Sequence, residues 1–360
     1  MMRAFITGGA GFIGSALVRR LVADGHTVLN FDLLTYAGDL RSVADVSDRP
    51  AYNFIQGDVA DDTIVGKALT AFQPDVVFHL AAESHVDRSI DGPDAFIRTN
   101  LTGTSVMLQA ARAWHDTLKG TKRDTFRFIH VSTDEVYGTL GFDDPAFTED
   151  TPYAPNSPYA ASKAGADHLA RAWHETFGLP VVITNCSNNY GPYQHPEKLI
   201  PTVIRKALTG EPIPVYGKGE NIRDWLFVED HVAGLLAAAA VGTPGQKYNF
   251  GGNAERRNID LVHRLCSQLD EARPRPDGQP YARQIAHVTD RPGHDLRYAV
   301  NADRSRDSLG WTPQTSFEEG MARTVHWYLS NGDWLTRDPS ELDRLGLGGA
   351  AATQSNGANA

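Results

Sequence analysis

Cysteine is scarce in this sequence. The 360 residues include two cysteines, Cys186 and Cys266, which form neither a Cys-x-x-Cys pair nor a histidine–cysteine cluster with metal-ligand spacing. This pattern argues against a disulfide scaffold and against a zinc site. We therefore predict two buried thiols in a reducing compartment and no metal site.

Long apolar runs and an excess of positive charge are also missing. No run approaches the about 18 residues of a membrane-spanning helix, and residues 1–14 lead into a glycine-rich turn, not a signal peptide. The formal net charge of −10 argues against nucleic acid or an anionic membrane as a partner. A small anionic ligand needs only a local cluster of Arg and Lys. We expect a globular protein located in the cytoplasm.

Strand-like and helical patterns alternate over the first half of the chain. The strand-like runs are Arg3–Thr7, Thr27–Phe31, Tyr52–Ile55, Asp75–His79, Phe126–Val131 and Leu179–Cys186. The clearest helical patterns between them are Asp94–Leu118 and Pro158–Phe177. This alternation predicts an α/β protein whose residues 1–189 form a doubly wound parallel Rossmann sheet.

The pattern changes beyond Asn189, where short strands and Pro- and Gly-rich stretches predominate. We predict a smaller C-terminal α+β lobe over residues 190–345, with some crossing of the chain between the lobes. Its predicted strands are Ile213–Tyr216, Lys247–Phe250 and Ala286–Val288, and its last helix is Phe317–Ser330. Residues 346–360 lack periodicity, and we expect them to be disordered.

A glycine-rich turn joins the first strand to the first helix. Gly8, Gly11 and Gly14 allow backbone N–H groups to approach a pyrophosphate at the helix N-terminus. Asp32 follows the second strand and can bind ribose hydroxyls. Because the next residue is Leu33 and not an arginine, the site favours NAD over NADP.

Two further positions follow strands of the same predicted sheet. Asp58 can contact an adenine edge or can simply form a turn, and its residue type leaves both open. Ala81 and Ala82 are small enough to let the backbone lie against a cofactor.

Tyr159 and Lys163 lie four residues apart in a predicted helix, on one face. Ser157 can cap this helix and Pro158 suits its first position, so Tyr159 lies in the first turn. A lysine there stabilises a phenolate, which predicts a tyrosine base with a pKa below about 10.

Thr133, Asp134 and Glu135 follow the fifth strand. Taken alone, the two acids can be a solvated turn. An acid at the carboxyl end of a parallel strand, beside a cofactor, is instead well placed for chemistry.

These motifs make the chain resemble the extended short-chain dehydrogenase/reductase family, and within it enzymes that dehydrate nucleotide sugars. The resemblance extends to about residue 330. The matching runs are TGGAGFIGS (7–15), HLAAESHVDRSI (79–90), VSTDEVYG (131–138), PYAASKAG (158–165), NNYGPYQHPEKLIP (188–201), GENIRDWLFVEDH (219–231) and DRPGHDLRY (290–298).

The resemblance implies that dTDP-glucose is converted to dTDP-4-keto-6-deoxyglucose for deoxysugar biosynthesis. Tyr159, aided by Lys163 and Thr133, would remove the C4 hydroxyl proton during oxidation by tightly bound NAD. Glu135 would then take the C5 proton and Asp134 would protonate the departing C6 hydroxyl, after which hydride returns to C6.

The same resemblance implies binding residues. Those for NAD are Gly8, Gly11, Phe12, Ile13, Gly14, Asp32, Asp58, Val59, Ala81, Thr99, Tyr159, Lys163 and Asn189. Those for the nucleotide sugar are Ser84, Thr133, Asn188, Lys198, Leu199, Pro214, Tyr216, Arg223, Asn258, Arg291 and His294.

Two alternatives remain open at this point. A nucleotide-sugar 4-epimerase or decarboxylase of the same superfamily would share the glycines and Tyr159, and a non-catalytic NAD-binding protein would share the fold. The resemblance also implies a homodimer formed through helices 94–118 and 158–177, which the apolar Val106, Leu108 and Ala111 permit.

Overall fold

The structure, a computed structural model, describes residues 1–336. Its strands are β1 (Arg3–Thr7), β2 (Thr27–Asp32), β3 (Tyr52–Gln56), β4 (Val76–His79), β5 (Arg127–Thr133), β6 (Val181–Cys186), β7 (Asn188–Tyr190), β8 (Ile213–Tyr216), β9 (Ile222–Phe227), β10 (Lys247–Phe250), β11 (Glu255–Arg257) and β12 (Ile285–Val288). The predicted disordered tail, residues 346–360, lies outside the described residues.

The largest sheet has seven strands in the order β10-β6-β5-β4-β1-β2-β3, and every pair in it is parallel. The direction of strand order reverses between β1 and β4. The connections that leave the carboxyl ends of β1 and β4 therefore run to opposite faces of the sheet and leave a crevice, where sheets of this type bind ligands. The predicted Rossmann-type α/β fold is confirmed.

Helices cover both faces of this sheet and build the second lobe. They are α1 (Phe12–Ala23), α2 (Asp62–Phe72), α3 (Val86–Asp91), α4 (Asp94–Phe96), α5 (Thr104–Thr117), α6 (Thr121–Thr125), α7 (Pro158–Phe177), α8 (Leu199–Thr209), α9 (Val228–Val241), α10 (Asn258–Ala272), α11 (Asp303–Leu309), α12 (Phe317–Ser330) and α13 (Gly332–Leu335). None of the helices in this part of the chain is long and apolar enough to cross a membrane.

Apolar side chains bury both faces of the sheet. One core joins β1 and β4 to α1 and α9, with Leu17 and Leu235 fully buried in it. The opposite core joins the sheet to α2, α5 and α7 around Leu69 and Leu108. A third core, with Leu265 at its centre, holds α8, α10 and α12 together as the smaller lobe. Cys186 and Cys266 are both buried free thiols, as predicted.

One local prediction is wrong. Residues Lys247–Phe250 were expected in the smaller lobe, but β10 pairs in parallel with β6 and forms an edge of the main sheet. Its side chains fit there because Tyr248 and Phe250 pack in the core shared with α9. The chain thus enters the smaller lobe after β6, returns to the main sheet as α9 and β10, and then goes back to the smaller lobe. The expected crossing of the chain between the lobes occurs at these points.

The predicted helix Asp94–Leu118 forms, from Asp94 to Thr117, but its geometry changes along its length. A π-helical segment, Ile97–Gly103, separates α4 from α5. Within it the Asn100 side chain accepts from the Glu83 N–H at 2.9 Å and donates to the Glu83 carbonyl at 3.0 Å and to Ser162 at 2.8 Å. Such segments tend to occur at functional sites, and this one ties the loop after β4 to α7.

Candidate active site

A cleft opens at the carboxyl ends of β1, β2, β4, β5 and β6. It encloses about 1600 Å³, including its open mouth. Its lining includes every residue that the sequence predicted for NAD and every predicted catalytic residue, together with Ser84, Asn188 and Lys198 from the substrate set. Residues separated widely in the chain are therefore brought to one site.

The backbone of the glycine turn is packed too closely for side chains at Gly8 and Gly14. Gly8 has φ +73°, and a Cβ there would lie 2.7 Å from the Ala81 nitrogen. A Cβ on Gly14 would lie 2.0 Å from the Gly8 carbonyl oxygen. Gly11 caps α1 without a side-chain hydrogen bond, so the first N–H groups of the helix have no side-chain acceptor there. This end of α1 fits an anion such as a pyrophosphate.

Asp32 and Asp58 flank the other end of the cleft. Asp32 accepts from the Ala10 N–H at 2.9 Å and the Leu34 N–H at 2.8 Å, and these bonds oppose the burial that raises its pKa. Asp58 accepts from the Ala60 N–H at 2.8 Å, so it forms a turn while it also lines the cleft.

Helix α7 begins as predicted and carries the tyrosine and lysine. The Ser157 hydroxyl accepts from the Ala160 N–H at 3.1 Å, and the helix ends at Phe177 before Gly178 in the left-handed conformation. The Lys163 ammonium donates to the Val131 carbonyl at 2.8 Å.

The expected lowering of the Tyr159 pKa is not found. Burial raises the pKa of Tyr159 well above its ordinary value, and Glu135 adds to this rise, while a hydrogen bond with Thr133 opposes it. Burial lowers the pKa of the Lys163 ammonium. Spacing along a helix places the two residues on one face, but it could not weigh the loss of solvent around the phenol.

The two adjacent carboxyls are in different surroundings. Asp134 is 2% exposed, and its Oδ2 has no hydrogen-bond partner among residues 1–336. Burial, and then the charges of Glu135 and Asp224, raise the pKa of Asp134 well above its ordinary value. Burial also raises the pKa of Glu135, but three cations oppose the rise: Arg291, Arg223 and Lys198. The arrangement therefore favours a protonated Asp134 beside a Glu135 that ionises more readily.

Positive side chains surround the mouth of the cleft near Glu135. Lys198 donates to the Ser84 carbonyl at 3.0 Å, so these two predicted substrate residues are neighbours. Arg223 is 6% exposed and donates to the backbone carbonyls of Ile222 and Asp295. From this buried position, the positive charge of Arg223 opposes the rise in the Glu135 pKa.

A second group of predicted substrate residues meets at Asp87. Arg291 donates to Asp87 at 2.8 Å, and the Tyr216 hydroxyl donates to the same carboxylate at 3.1 Å. The His294 ring lies 6.0 Å from that of Tyr216. None of these residues lines the cleft itself, and neither does Arg223. The remaining predicted positions also lie outside its lining: Leu199 and Asn258 begin α8 and α10, and Pro214 lies in β8.

Sequence reasoning missed several polar residues of the site. Glu83, Gln194, His195 and Glu197 line the cleft, and Asp87 and Asp224 lie next to its charged groups. All six lie within the runs of residues that carry the family resemblance. Their membership in those runs was the available signal, since no local spacing distinguishes them.

A glycine-turn cleft with a buried Tyr-x-x-x-Lys helix defines a protein of the extended short-chain dehydrogenase/reductase class. The sequence matches the family described as GDP-mannose 4,6 dehydratase over residues 5–324. It is 57% identical over 344 residues to a dTDP-glucose 4,6-dehydratase of Xanthomonas campestris pv. campestris (strain B100), covering 95% of this chain and 98% of that protein.

Two solved structures extend the comparison. The dTDP-glucose 4,6-dehydratase DesIV of Streptomyces venezuelae, with NAD and TYD bound, is 44% identical, with a TM-score of 0.84 over 92% of this chain and 98% of that one. A UDP-glucose 4-epimerase of Thermotoga maritima with UDP-glucose is 26% identical, with a TM-score of 0.81 over 92% and 99%. The chain belongs to the dTDP-glucose 4,6-dehydratase family, as the sequence motifs predicted.

Proposed function

We propose that the protein converts dTDP-glucose to dTDP-4-keto-6-deoxyglucose, a step of deoxysugar biosynthesis, with NAD held tightly through the cycle. The observation that carries this proposal is the pair of adjacent carboxyls with different proton affinities, Asp134 and Glu135, in one cleft with Tyr159. Oxidation at C4 requires one base, whereas removal of water across C5 and C6 requires a further base and an acid.

The protein fits NAD at the end of the cleft formed by α1. Gly8, Gly11 and Gly14 leave space for the pyrophosphate, and Asp32 is placed beyond β2 to bind ribose hydroxyls. When bound, NAD supplies a hydride acceptor at C4 and later the hydride donor at C6. The DesIV relative, which carries NAD, supports the assignment.

Tyr159 accepts the proton of the C4 hydroxyl. Its own surroundings favour the neutral phenol, so the charge of Lys163 and the hydrogen bond from Thr133 are needed to stabilise the phenolate. The positive charge of an oxidised nicotinamide would lower the cost of this phenolate further.

Glu135 and Asp134 divide the elimination between them. Glu135 removes the C5 proton, which the C4 ketone has made acidic, and the cations around Glu135 keep its carboxylate available. Asp134 keeps its proton because it is buried among other acids, and it donates that proton to the departing C6 hydroxyl. The acid and base roles follow from surroundings and not from residue type.

The nucleotide sugar binds toward the cationic mouth of the cleft. Ser84 and Lys198 contact the sugar side, and Arg223 and Arg291 supply positive charge for the diphosphate. Tyr216 and Pro214 on β8, with His294 and Asn258, flank the base and diphosphate end. The preference for thymine over uracil rests on this region.

A 4-epimerase is the alternative on the same fold, and the Thermotoga maritima structure illustrates it. An epimerase does not expel the C6 hydroxyl and has no use for a protonated Asp134. The buried acid therefore favours the dehydratase.

The proposal is tested by incubating the protein with dTDP-glucose in deuterated water and following the products by NMR and mass spectrometry. We expect a 4-keto-6-deoxy sugar with deuterium at C5 and no net NADH. A C4 epimer, or no reaction, would contradict the proposal. UDP-glucose in a parallel sample measures the base preference.

We further propose a homodimer that uses the surface near α5 and α7. Two of the three apolar residues first associated with it cannot contribute, because Leu108 and Ala111 are fully buried in the chain's own core. Ile97 and Phe177 support the proposal instead, since they lie just before α5 and at the end of α7 and are 50% and 41% exposed. Light scattering coupled to size-exclusion chromatography should give twice the chain mass, and Ile97→Asp should reduce it.

A further inference from the structure

Asp167 lies on α7, one helical turn beyond Lys163 and two turns beyond Tyr159. The three side chains are 2%, 5% and 8% exposed. Because residues four apart share a face of a helix, they form one buried row that starts at the reacting end of the cleft. The proposed reaction steps assign roles to Tyr159 and Lys163 and none to Asp167.

Four side-chain donors surround the Asp167 carboxylate. His130 Nε2 lies 3.0 Å from Oδ1, while Ser132 Oγ, Tyr153 OH and Asn185 Nδ2 lie 2.9, 2.8 and 3.2 Å from Oδ2. An amide nitrogen can only donate, and a carboxylate can accept from several donors at once. This arrangement suits an ionised Asp167 and a neutral His130 that carries its proton on Nε2.

Lys163 is bound to the same short stretch of β5. Its ammonium donates to the Val131 carbonyl, and it forms no direct ion pair within residues 1–336. The two residues that flank Val131, His130 and Ser132, both donate to Asp167. A buried ammonium is costly without negative charge nearby, and Asp167 supplies that charge from one turn along the helix.

The other groups that face Lys163 cannot take over this task. Cys186 on β6 is a buried thiol whose pKa is raised, so it stays neutral. His79 on β4 and His130 on β5 have lowered pKa values, and they add no negative charge. Around Asp167 itself, Lys247 on β10 contributes a further positive charge, and the phenols of the buried Tyr137 and the partly buried Tyr153 stay neutral.

We propose that Asp167 is a positioning residue that keeps Lys163 protonated and seated at Val131, so that Lys163 can support Tyr159 in taking the substrate hydroxyl proton. This inference rests on the proposed function and adds a residue to its machinery. Asp167 touches neither substrate nor cofactor, and it acts through the charge of Lys163.

The competing explanation is that Asp167 only joins α7 to β5 and β6 by hydrogen bonds. The two explanations predict different pH dependences of kcat. If Asp167→Asn removes the counter-charge, Lys163 loses its proton at lower pH, and the alkaline limb of kcat moves to lower pH. A nearby opposite charge shifts a pKa by about one unit or more, which sets the expected displacement of the limb.

The experiment measures kcat against pH for the wild type, Asp167→Asn, Asp167→Glu and Tyr153→Phe. We expect the displaced alkaline limb in Asp167→Asn, its recovery in Asp167→Glu, and the wild-type limb in Tyr153→Phe, which loses a hydrogen bond and keeps the charge. A folded Asp167→Asn protein whose limb coincides with that of the wild type would overturn the proposal.

A second measurement does not require any Asp167 variant to fold. Protein labelled with [ε-¹³C]lysine is titrated by NMR, and the Lys163 signal is assigned by its absence in Lys163→Met. We expect wild-type Lys163 to stay charged at pH 7, and a neutral Lys163 there would refute the inference. If the wild type fails to convert dTDP-glucose, the proposed function is wrong, while this titration still decides whether Lys163 keeps its charge.

Discussion

Replacement of Glu135 by glutamine isolates the base of the elimination step. Glutamine has nearly the same shape, but it cannot accept the C5 proton. A general base contributes about 10²- to 10⁴-fold to a rate, equivalent to about 3–5 kcal/mol of activation free energy. We expect turnover of dTDP-glucose by Glu135→Gln to fall within this range.

The surroundings of Asp134 make the result interpretable. Glu135 is one of the groups that raise the pKa of Asp134, so its loss lowers that pKa. Burial is the largest cause, however, and Asp224 remains, so the pKa of Asp134 should stay above its ordinary value. The variant then lacks the base and retains the acid.

The pH dependence of the rate tests whether Glu135 must be ionised. Wild-type elimination needs ionised Glu135, so its rate should decline as pH falls through the raised pKa of this carboxyl. This acid limb should be missing from the residual activity of Glu135→Gln.

The assay follows deuterium incorporation at C5 by NMR and bound NADH by absorbance. We expect exchange at C5 to be lost while NADH still forms on the protein, since oxidation at C4 uses Tyr159. Glu229→Gln is the matched control, because Glu229 is a half-exposed acid that pairs with Arg323 on the surface. Wild-type exchange in Glu135→Gln would refute the assignment of the base.

Two further substitutions test the elements that hold the site. Gly14→Ala should reduce the NAD that co-purifies with the protein, because its Cβ would lie 2.0 Å from the Gly8 carbonyl oxygen. The NAD content is measured by absorbance after denaturation. Gly66→Ala is the control: a Cβ at Gly66 meets open space, so this variant should keep NAD and stabilise α2 by up to about 1 kcal/mol. Ser157→Ala should cost about 0.5–2 kcal/mol in urea unfolding and also lower kcat, whereas Ser316→Ala, which removes the cap of α12, should cost stability alone. Full NAD content in Gly14→Ala, or unchanged unfolding of Ser157→Ala, would contradict these expectations.

Local signals in the sequence predicted α7 completely. Ser157 and Pro158 mark its start, and the structure has the predicted bounds Pro158–Phe177. The glycine turn was equally informative, because close backbone contact at Gly8 and Gly14 leaves few alternatives to glycine. In both cases the physical cause lies within a few residues of the motif, which is why a single sequence was sufficient.

Local signals of this kind could not predict contacts between residues that are distant in the chain. Asp87 holds Tyr216 and Arg291 although these lie 129 and 204 residues further along the chain. Asp167 collects its donors from β5, β6 and the loop before α7, and no periodicity identifies those partners. The direction of the Tyr159 pKa shift was missed for a related reason, since it is set mainly by burial in the whole fold.

The position of β10 has a consequence for the order in which the protein folds during synthesis. The edge of β6 is completed by residues Lys247–Phe250, and α9 packs beside them. Until the ribosome has delivered this segment, β6 presents unpaired backbone groups to other chains, which is a known route to aggregation. A fragment that stops at residue 189 would retain this exposed edge permanently. The nucleotide-binding half therefore matures only after much of the smaller lobe has emerged.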